Sequence, residues 1–392
     1  MREYALNMLI GRELTTFRKQ LLDWFRQFQR DLPWRRTKDP YRIWISEIML
    51  QQTRVAAVIP YYERFLERFP DVRGLAEAPE EDVLRLWSGL GYYSRARNLQ
   101  KAAQQIVARH GGEFPRQETA VLALPGIGSY TAAAIRSITF GAKQAVLDGN
   151  VARVLARLGA IRGDVRESRR WKSLQETASQ FLDSKSPGDW NQAMMELGAV
   201  VCTPRAPQCL LCPVAKFCRG RQIGDPESFP EKRKKREAVQ IVLAAAVLST
   251  PSGHTLLLPP PRKMGEQFAA ADVATLVSRL WHFPTVAIRG DAQTELRQFL
   301  EISVFAKNVP AKNGAIRFEP LAQVRHAVTY RDVTVLPFRI AVGKVPHIRG
   351  AKSIRLEDFA TLPVSNLTRK IARVALATPV APAVLTASAG KP

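Results

Sequence analysis

The sequence predicts a two-domain chain in which an all-α region, residues 1–220, precedes a smaller α+β domain, residues 239–375. Apolar residues recur at helical spacing up to about residue 219, with Pro and Gly in nearly every gap. No 20–50-residue repeat is visible, which excludes a solenoid. After a basic linker at 221–238, apolar and β-branched runs indicate strands.

The predicted elements follow the chain in order. Helices are expected at 14–28, 41–50, 55–69, 82–89, 94–110 and 130–140. Strands are expected at 238–249, 255–258, 315–318 and 333–342. The tail at 376–392 is rich in Ala, Pro and Val with little charge, so we expect it to be disordered.

The charge balance indicates a polyanionic partner. The 392 residues include 58 Lys and Arg against 35 Asp and Glu, which leaves a net charge of +23. Nucleic acid is the favoured partner, although an anionic membrane surface, or a basic protein with no polyanionic partner, also fits the charge alone. The chain has no 18-residue apolar run and no signal-peptide pattern, so we expect a soluble intracellular protein that does not act at a membrane.

All four cysteines lie close together, in the spacing C-x6-C-x2-C-x5-C: Cys202, Cys209, Cys212 and Cys218. Four cysteines are too few to form a disulfide framework in a chain of this length. Thiolates that lie so close repel one another unless a cation binds them, so the pattern predicts a metal site. Zinc and an iron–sulfur cluster both remain open from the spacing.

A glycine hairpin lies between two predicted helices, where residues 124–131 read L-P-G-I-G-S-Y-T. Gly126 and Gly128 let backbone N–H groups converge at a helix N-terminus, which suits a DNA phosphate. A plain connection between helices also explains these glycines. Further on, Asp148 directly precedes a helix, and its simplest role is that of an N-cap.

Together, the hairpin and the following segment L-D-G-N-V resemble the helix–hairpin–helix superfamily of DNA glycosylases. The resemblance implies an enzyme that flips a nucleotide and cuts its N-glycosidic bond. Breaking that bond builds positive charge on the sugar, which an ionised carboxylate can stabilise. We assign that role to Asp148 and expect Asn150 to orient the carboxylate or the water. The cysteine spacing is similar to the cluster loop of this superfamily, which implies a [4Fe–4S] cofactor.

A second carboxylate is needed because a purine leaves poorly as an anion. Residues 44–53 read W-I-S-E-I-M-L-Q-Q-T, which resembles the signature of the adenine DNA glycosylases, the MutY family. The resemblance implies that Glu47 protonates adenine at N7, and apolar neighbours such as Ile45 and Ile48 favour a raised pKa. From periodicity alone, a solvated glutamate on a helix face is the simpler interpretation.

The same resemblance assigns the substrate contacts. The residues expected to bind the flipped adenine are Arg30, Leu32, Trp34, Arg35 and Gln192. Gln52 and Tyr92 are expected to insert into the duplex beside the opposite base. The six-helix part of the glycosylase is expected at about 38–144, and the N-terminal helix with 145–220 is expected to form the cluster-bearing subdomain.

Tyr130 stands where bifunctional relatives of endonuclease III carry a nucleophilic lysine. We therefore predict a monofunctional glycosylase. Two alternatives stay open: an endonuclease III-like glycosylase/lyase for oxidised pyrimidines, and a non-catalytic DNA-binding redox sensor that uses only the iron–sulfur cluster.

The C-terminal domain resembles the Nudix-like domain of adenine glycosylases, which recognises 8-oxoguanine. Residues 280–284 read L-W-H-F-P and match the family's turn, but after Arg325 and His326 the chain departs from the family's Phe-Ser-His. Thr329 and Tyr330 take the last two of those places, and we assign them to 8-oxoguanine recognition.

The expected partner is double-stranded DNA with A:8-oxoguanine or A:G mispairs, bound by a cytoplasmic, nucleoid-associated monomer.

Overall fold

The structure, a computed structural model, describes residues 9–231, 237–259, 280–305, 316–328 and 330–378. The chain divides into two compact units. The first unit comprises residues 1–80 and 95–235, and the second comprises 81–94 and 236–392. Segment 81–94 thus groups with the C-terminal region, although it lies inside the predicted all-α region. No helix in the described ranges is long and apolar enough to span a membrane.

The described part of the N-terminal region is helical throughout, as predicted. Its helices are α1 (Gly11–Phe28), α2 (Pro40–Leu50), α3 (Val55–Arg68), α4 (Val72–Glu77), α5 (Glu80–Trp87), α6 (Ser94–His110), α7 (Glu118–Leu122), α8 (Ser129–Phe140), α9 (Gly149–Leu158), α10 (Ser168–Phe181), α11 (Pro187–Val200) and α12 (Arg219–Gln222). Short 3₁₀ turns occupy Pro33–Arg35, Cys209–Leu211, Ala215–Phe217 and Pro226–Ser228.

Local signals set where the helices of the site begin. At the start of α2, the Asp39 side chain accepts a hydrogen bond from the Tyr41 N–H at 2.8 Å, and Pro40 occupies the first helical position. Helix α8 begins directly after Gly128 and ends at Gly141, whose φ of 68° lies in the left-handed region. These signals fix the ends of the two helices that present Glu47 and Tyr130.

The core of the first unit joins helices that are distant in the sequence. Phe17 of α1 is fully buried and packs edge-on against Phe181 of α10, with ring centroids 5.4 Å apart. It also packs against Trp190 of α11 in a tilted arrangement, with centroids 5.9 Å apart. Leu21 and Phe25 extend the same apolar face of α1. Because α1 packs on α11, the chain that follows α1 runs beside α11 and lines the cavity described below.

The second unit contains a mixed sheet. Its strands are β1 (Val239–Ser249), β3 (Thr285–Ala287), β4 (Glu319–Pro320), β5 (Val324–Val328) and β6 (Arg331–Ala341), and a separate pair is formed by β2 (His254–Leu257) and β7 (Lys352–Arg355). Strand β1 pairs in parallel with β6 and antiparallel with β3, whereas β4 and β5 pair antiparallel with β6. The α+β character predicted for this region is confirmed.

Both faces of the sheet are covered by helices. Alternate residues of β1 enter two different apolar clusters, Leu243 with α14 (Asn366–Ala377) and Ala244 with α13 (Ala292–Ser303). Strand β1 is therefore buried on both faces, which explains its nearly continuous apolar sequence.

Two expectations about this region are wrong. Residues 316–318 form no strand, and the only extended pairing nearby is the two-residue β4, where Pro320 has no N–H to donate. Residue 315 lies outside the described residues. Helix α14 continues to Ala377, two residues into the predicted tail, because Ala375 and the residues one turn before it stay buried. The rest of the tail, 379–392, lies outside the described residues.

Candidate active site

Ten of the predicted site residues line one cavity of about 300 Å³ in the first unit. They come from the segment after α1, from α2 and the turn that follows it, and from the start of α8, α9 and the middle of α11. These residues are Arg30, Leu32, Trp34, Arg35, Glu47, Gln52, Tyr130, Asp148, Asn150 and Gln192. Residues up to 162 positions apart in the sequence therefore meet at one site.

Glu47 is buried, with 7% of its surface exposed, so the solvated helix-face interpretation is wrong. Burial raises its pKa to about 7, and the negative charge of Asp148 adds to this effect. A hydrogen bond from the Tyr130 hydroxyl to Glu47 Oε2, 3.2 Å long, opposes it. A carboxyl group with this pKa is partly protonated at neutral pH and can act as a general acid.

Asp148 serves as the N-cap of α9 and also faces the cavity. Its Oδ1 accepts the N–H of Val151 at 2.7 Å, and its Oδ2 accepts the Asn150 amide at 3.0 Å. Burial raises its pKa, and the hydrogen bonds from Val151 and Asn150 oppose that rise. The N-cap role and the position in the cavity thus belong to the same side chain.

Tyr130 lies at the start of α8, where the charges of both Glu47 and Asp148 act on its hydroxyl group. Burial, together with the charges of Glu47 and Asp148, raises its pKa well above the usual value, so the phenol stays neutral. Its hydroxyl also contacts Met195 Sδ at 3.2 Å. Tyr130 can therefore donate a hydrogen bond but cannot form a Schiff base.

Sequence reasoning missed Glu196, which holds the two arginines assigned to the adenine pocket. Its carboxylate is 1% exposed and accepts Arg30 Nε at 2.7 Å, Arg30 Nη2 at 2.6 Å and Arg35 Nη2 at 2.7 Å. Burial favours a raised pKa, but the hydrogen bonds from both arginines outweigh it and hold the pKa of Glu196 at about 2. A signal for it existed: Glu196 lies one helical turn after Gln192 between apolar residues.

Arg153 connects the cysteine loop with the acidic centre. Its Nη2 donates to Asn150 Oδ1 at 2.8 Å and to the Gly198 carbonyl at 2.6 Å, and its Nε donates to the Cys202 carbonyl at 2.8 Å. Asn150 in turn donates to Asp148. One chain of hydrogen bonds therefore runs from the Cys202 carbonyl to the Asp148 carboxylate.

The four cysteines lie between α11 and α12, with Cys209 at the start of a 3₁₀ turn, and the other three pack against the apolar core of the first unit. The thiols of Cys202, Cys209 and Cys218 raise the pKa of Cys212 electrostatically, after burial as the larger cause. Among the described residues, no group of three acidic, His or Cys side chains converges closely enough to hold a single metal ion.

The surroundings of the thiols fit an iron–sulfur cluster. Buried Arg157 donates Nη1 to Cys202 Sγ at 3.3 Å and to the Thr203 carbonyl at 2.7 Å. Backbone hydrogen bonds from Val214 to Cys212 and from Arg221 and Gly220 to Cys218 lower the pKa of those thiols. Donors aimed at sulfur stabilise thiolates, which is the ligand form that a cluster requires.

The predicted phosphate-binding hairpin connects α7 and α8. Gly126 has a φ of 82°, and a Cβ there would lie 2.9 Å from the Cβ of Asn98, so only glycine fits. Gly128 is the N-cap of α8 and provides no side chain to satisfy the first N–H groups of that helix. These donors are available to an anion.

The two residues expected to enter the duplex share an unusual backbone conformation. Gln52 has a φ of 56° and Tyr92 a φ of 47°, both in the left-handed region that non-glycine residues rarely adopt. Such strain is often found where a side chain must be presented for function. Tyr92 is 48% exposed. It belongs to the second unit. In that unit, Asn366 Nδ2 donates at 3.2 Å to the carbonyl of Gly89, which lies three residues before Tyr92.

Of the two residues assigned to 8-oxoguanine, Thr329 lies outside the described residues. Tyr330 is 44% exposed and precedes β6, and its carbonyl accepts the Val239 N–H at 2.8 Å. Its ring lies 5.3 Å from the guanidinium of Arg331.

Buried acidic residues in a cavity beside a glycine hairpin define a base-excision DNA glycosylase of the helix–hairpin–helix class. Residues 45–180 match the model of the HhH-GPD superfamily base excision DNA repair protein. The chain is 36% identical over 419 residues to the adenine DNA glycosylase of Homo sapiens, covering 92% of this chain and 74% of the relative. The corresponding enzyme of Arabidopsis thaliana is 35% identical over 394 residues, covering 91% of this chain and 58% of that relative. The chain belongs to the adenine DNA glycosylase family.

It is therefore a base-excision-repair enzyme, an adenine-specific DNA N-glycosylase. Among solved structures, that of a thermostable thymine-DNA glycosylase is 31% identical, with a TM-score of 0.49, and covers 54% of this chain and 97% of that one.

Proposed function

We propose that this enzyme hydrolyses the N-glycosidic bond of adenine paired with 8-oxoguanine or guanine and leaves an intact abasic site. The observation that carries the proposal is that buried Glu47 and partly buried Asp148, both with raised pKa values, line the same cavity as Tyr130. A cavity of about 300 Å³ is large enough for one flipped purine.

Glu47 supplies the proton that the leaving base needs. With a pKa of about 7, its carboxyl group is protonated in a large fraction of molecules at neutral pH and can donate to adenine N7. As the bond between C1′ and N9 breaks, its electron pair leaves with the base, and the proton at N7 neutralises the charge that develops there. Tyr130 keeps the Glu47 carboxyl oriented through its 3.2 Å hydrogen bond.

Asp148 stabilises the positive charge that remains on the sugar. Its carboxylate is held by the Val151 N–H and by the Asn150 amide, so it need not reorganise as charge develops. Water then adds its oxygen to C1′, and its proton passes to the Glu47 carboxylate. That transfer restores the acid for the next turnover.

The absence of a lyase step follows from the residue types in the cavity. Among the described residues that line it, none is a lysine, and the phenol of Tyr130 occupies the place where bifunctional relatives carry one. Without an amine at the sugar, no Schiff base forms and the strand is not cut.

The remaining cavity residues bind and orient the base. Trp34 is 6% exposed and provides a flat apolar wall, and Gln192 provides an amide that can hydrogen-bond the adenine edge. Arg30 and Arg35, fixed by Glu196, complete the wall. Gln52 and Tyr92 probe the duplex beside the opposite base.

We infer that the four cysteines hold a [4Fe–4S] cluster, which when bound cross-links the 202–218 loop and can carry a single electron. This chain's own residues do the rest. Arg157 holds the loop through the carbonyls of Thr203 and Pro204. The exposed cations beside the loop attract the DNA backbone, and these are Arg205, Lys216, Arg219 and Arg221.

We infer that the C-terminal region is a Nudix-like domain that recognises 8-oxoguanine. The support is a mixed sheet covered by a helix on each face and the exposed ring of Tyr330 in the turn before β6. The enzyme is proposed to act as a monomer on double-stranded DNA in the cytoplasm, associated with the nucleoid.

The test uses matched duplexes. Purified holoenzyme is incubated with strands containing A opposite 8-oxoguanine, A opposite G, A opposite T, or an oxidised pyrimidine, with and without alkali. Strand breaks only after alkali, confined to the adenine strand of the two mispairs, support the proposal. Breaks without alkali, or on the oxidised pyrimidine, would instead identify an endonuclease III-like lyase, and binding without breaks would identify a non-catalytic sensor.

A further inference from the structure

Arg95 encloses the turn that presents Gln52. It lies in the first turn of α6, and only 9% of its surface is exposed. Its Nη1 donates to the carbonyls of Ile48 at 2.8 Å, Met49 at 3.0 Å and Gln51 at 2.6 Å. Its Nη2 donates to Thr53 Oγ1 at 3.3 Å. One guanidinium thus binds backbone carbonyls before Gln52 and the Thr53 hydroxyl after it.

The physical need for such a cation is twofold. Helix α2 ends at Leu50, so its last carbonyls have no partners within the helix, and a cation at a helix C-terminus is favoured by the helix dipole. Gln52 then adopts a φ of 56°, a conformation that persists only when the surrounding structure holds it. Arg95 satisfies the carbonyls and fixes the strained turn at once.

The turn lies directly beside the residues assigned to catalysis. Ile48 follows Glu47 directly, and Gln52 lines the catalytic cavity. Gln51 adds a second anchor, since its Nε2 donates to Thr131 Oγ1 of α8 at 3.3 Å.

We propose that Arg95 is a positioning residue that holds Gln52 ready to enter the duplex beside the opposite base. The proposal rests on the role assigned to Gln52 under the proposed function. Arg95 itself touches neither the adenine nor the reacting atoms. The planar guanidinium of Arg95 is needed for this role, because the single side-chain nitrogen of a lysine cannot bind the carbonyls before Gln52 and the Thr53 hydroxyl after it in the same geometry.

The first test does not depend on activity. Amide hydrogen exchange is measured in the holoenzyme and in Arg95→Lys, with Arg97→Lys as the matched control. Arg97 lies on the same helix and pairs with Glu80 at 3.0 Å. We expect exchange at residues 51–54 to accelerate at least about tenfold in Arg95→Lys only, because the carbonyl anchors are lost. Unchanged exchange in that segment would overturn the proposed hold on the turn.

The second test is a double-mutant cycle on the single-turnover rate of adenine removal opposite 8-oxoguanine. We expect Arg95→Lys to slow the wild-type enzyme about tenfold but to slow Gln52→Ala less than about twofold, since the two changes remove the same function. Arg97→Lys should leave both rates unchanged. An equal loss from Arg95→Lys in both backgrounds would mean a general structural role and would overturn the positioning role.

A milder change serves if Arg95→Lys does not fold. Thr53→Val removes the acceptor of Arg95 Nη2 and also the 3.2 Å hydrogen bond from the Thr53 hydroxyl to the Gln51 carbonyl in the same turn. We expect the same pattern at a smaller amplitude, a loss of about threefold in the wild-type background and none in Gln52→Ala. Additive losses with Thr53→Val would also overturn the proposal. A wild-type enzyme that removes no adenine would overturn the proposed function and this role together, whereas additive losses in an active enzyme overturn the role alone.

Discussion

The Tyr130 hydroxyl donates to Glu47 Oε2 across 3.2 Å, so a neutral phenol touches the carboxyl group that we propose protonates the base. Burial raises the pKa of Glu47 to about 7, and this hydrogen bond lowers it. The two effects together place the pKa of the proposed proton donor close to neutral pH. The relationship joins two helices that begin 89 residues apart, α2 at residue 40 and α8 at residue 129.

The first prediction concerns pH. Glu47 must be protonated to act, so the single-turnover rate should fall as pH rises through about 7. Asp148 must be ionised, so the rate should also fall at acidic pH, at a midpoint above the usual aspartate range because burial raises its pKa. In Tyr130→Phe the alkaline midpoint should move upward, since a bond that lowers the pKa of Glu47 is gone. Rates that do not change between about pH 6 and pH 9 would contradict this assignment.

The second prediction concerns stability. The folded-state pKa of Glu47 is raised from 4.5 to about 7. Its contribution to the free energy of unfolding is therefore fully present below pH 4.5 and is lost as pH rises through 7. A shift of this size costs the folded state about 3 kcal/mol at pH 8. Glu47→Gln removes that cost, so its free energy of unfolding relative to wild type should increase by up to this amount between pH 4.5 and pH 8. Urea titrations at both pH values measure it, with the exposed Glu113→Gln as control. A constant difference would show that Glu47 does not titrate this way.

The third prediction separates the two roles of Asp148. Asp148→Asn keeps an oxygen that can accept the Val151 N–H but loses the acceptor of the Asn150 amide, so the free energy of unfolding should fall by about 1 kcal/mol. The negative charge at the sugar is lost, and the excision rate should drop by at least about 100-fold. Asp148→Ala should lose the same activity and a further ~1 kcal/mol of stability, because the cap is lost as well. Wild-type turnover in the Asn variant would remove Asp148 from the mechanism.

The fourth prediction concerns Glu196. Glu196→Gln leaves the guanidinium groups of Arg30 and Arg35 without their carboxylate, and we expect a loss of about 2–3 kcal/mol in the free energy of unfolding. This loss is smaller than that expected for a fully buried ion pair, because the Arg30 side chain is 37% exposed and solvent screens its charge. Asp189→Asn is the matched control, since its 3.5 Å pair with Arg26 is exposed and should contribute less than about 0.5 kcal/mol. Equal effects of the two variants in thermal unfolding would refute a structural role for Glu196.

Much of the site could be predicted because its signals are local. The glycine hairpin, the N-cap aspartate and the cysteine spacing each lie within a short segment, so backbone geometry and ligand chemistry act on neighbours in the sequence. Helix periodicity is local for the same reason, and the helices of the first unit agree with it. Two-residue β4 shows the limit: residues 315–318 have strand-like composition, but no partner strand lies beside residues 316–318.

Long-range contacts decided the rest. In the sequence Glu47 looks like an ordinary helix glutamate, but α2 packs against α8 in the structure, and the pKa of Glu47 depends on the resulting burial. Glu196 and Arg95 gain their roles from partners that lie more than 40 residues away. The grouping of 81–94 with the C-terminal unit likewise depends on contacts such as Ser88 Oγ to the Val364 carbonyl, at 2.8 Å.

By itself, the sequence determined which chemistry is present: two acids, a hairpin for phosphate and four thiols, because these depend on residue type and short spacing. Only the tertiary structure decided how that chemistry is tuned. Desolvation and charge pairing are properties of packed neighbours, and they raise the pKa of Glu47 while lowering that of Glu196. The same kind of residue becomes an acid at one site and a fixed counter-ion at the other because different groups surround it.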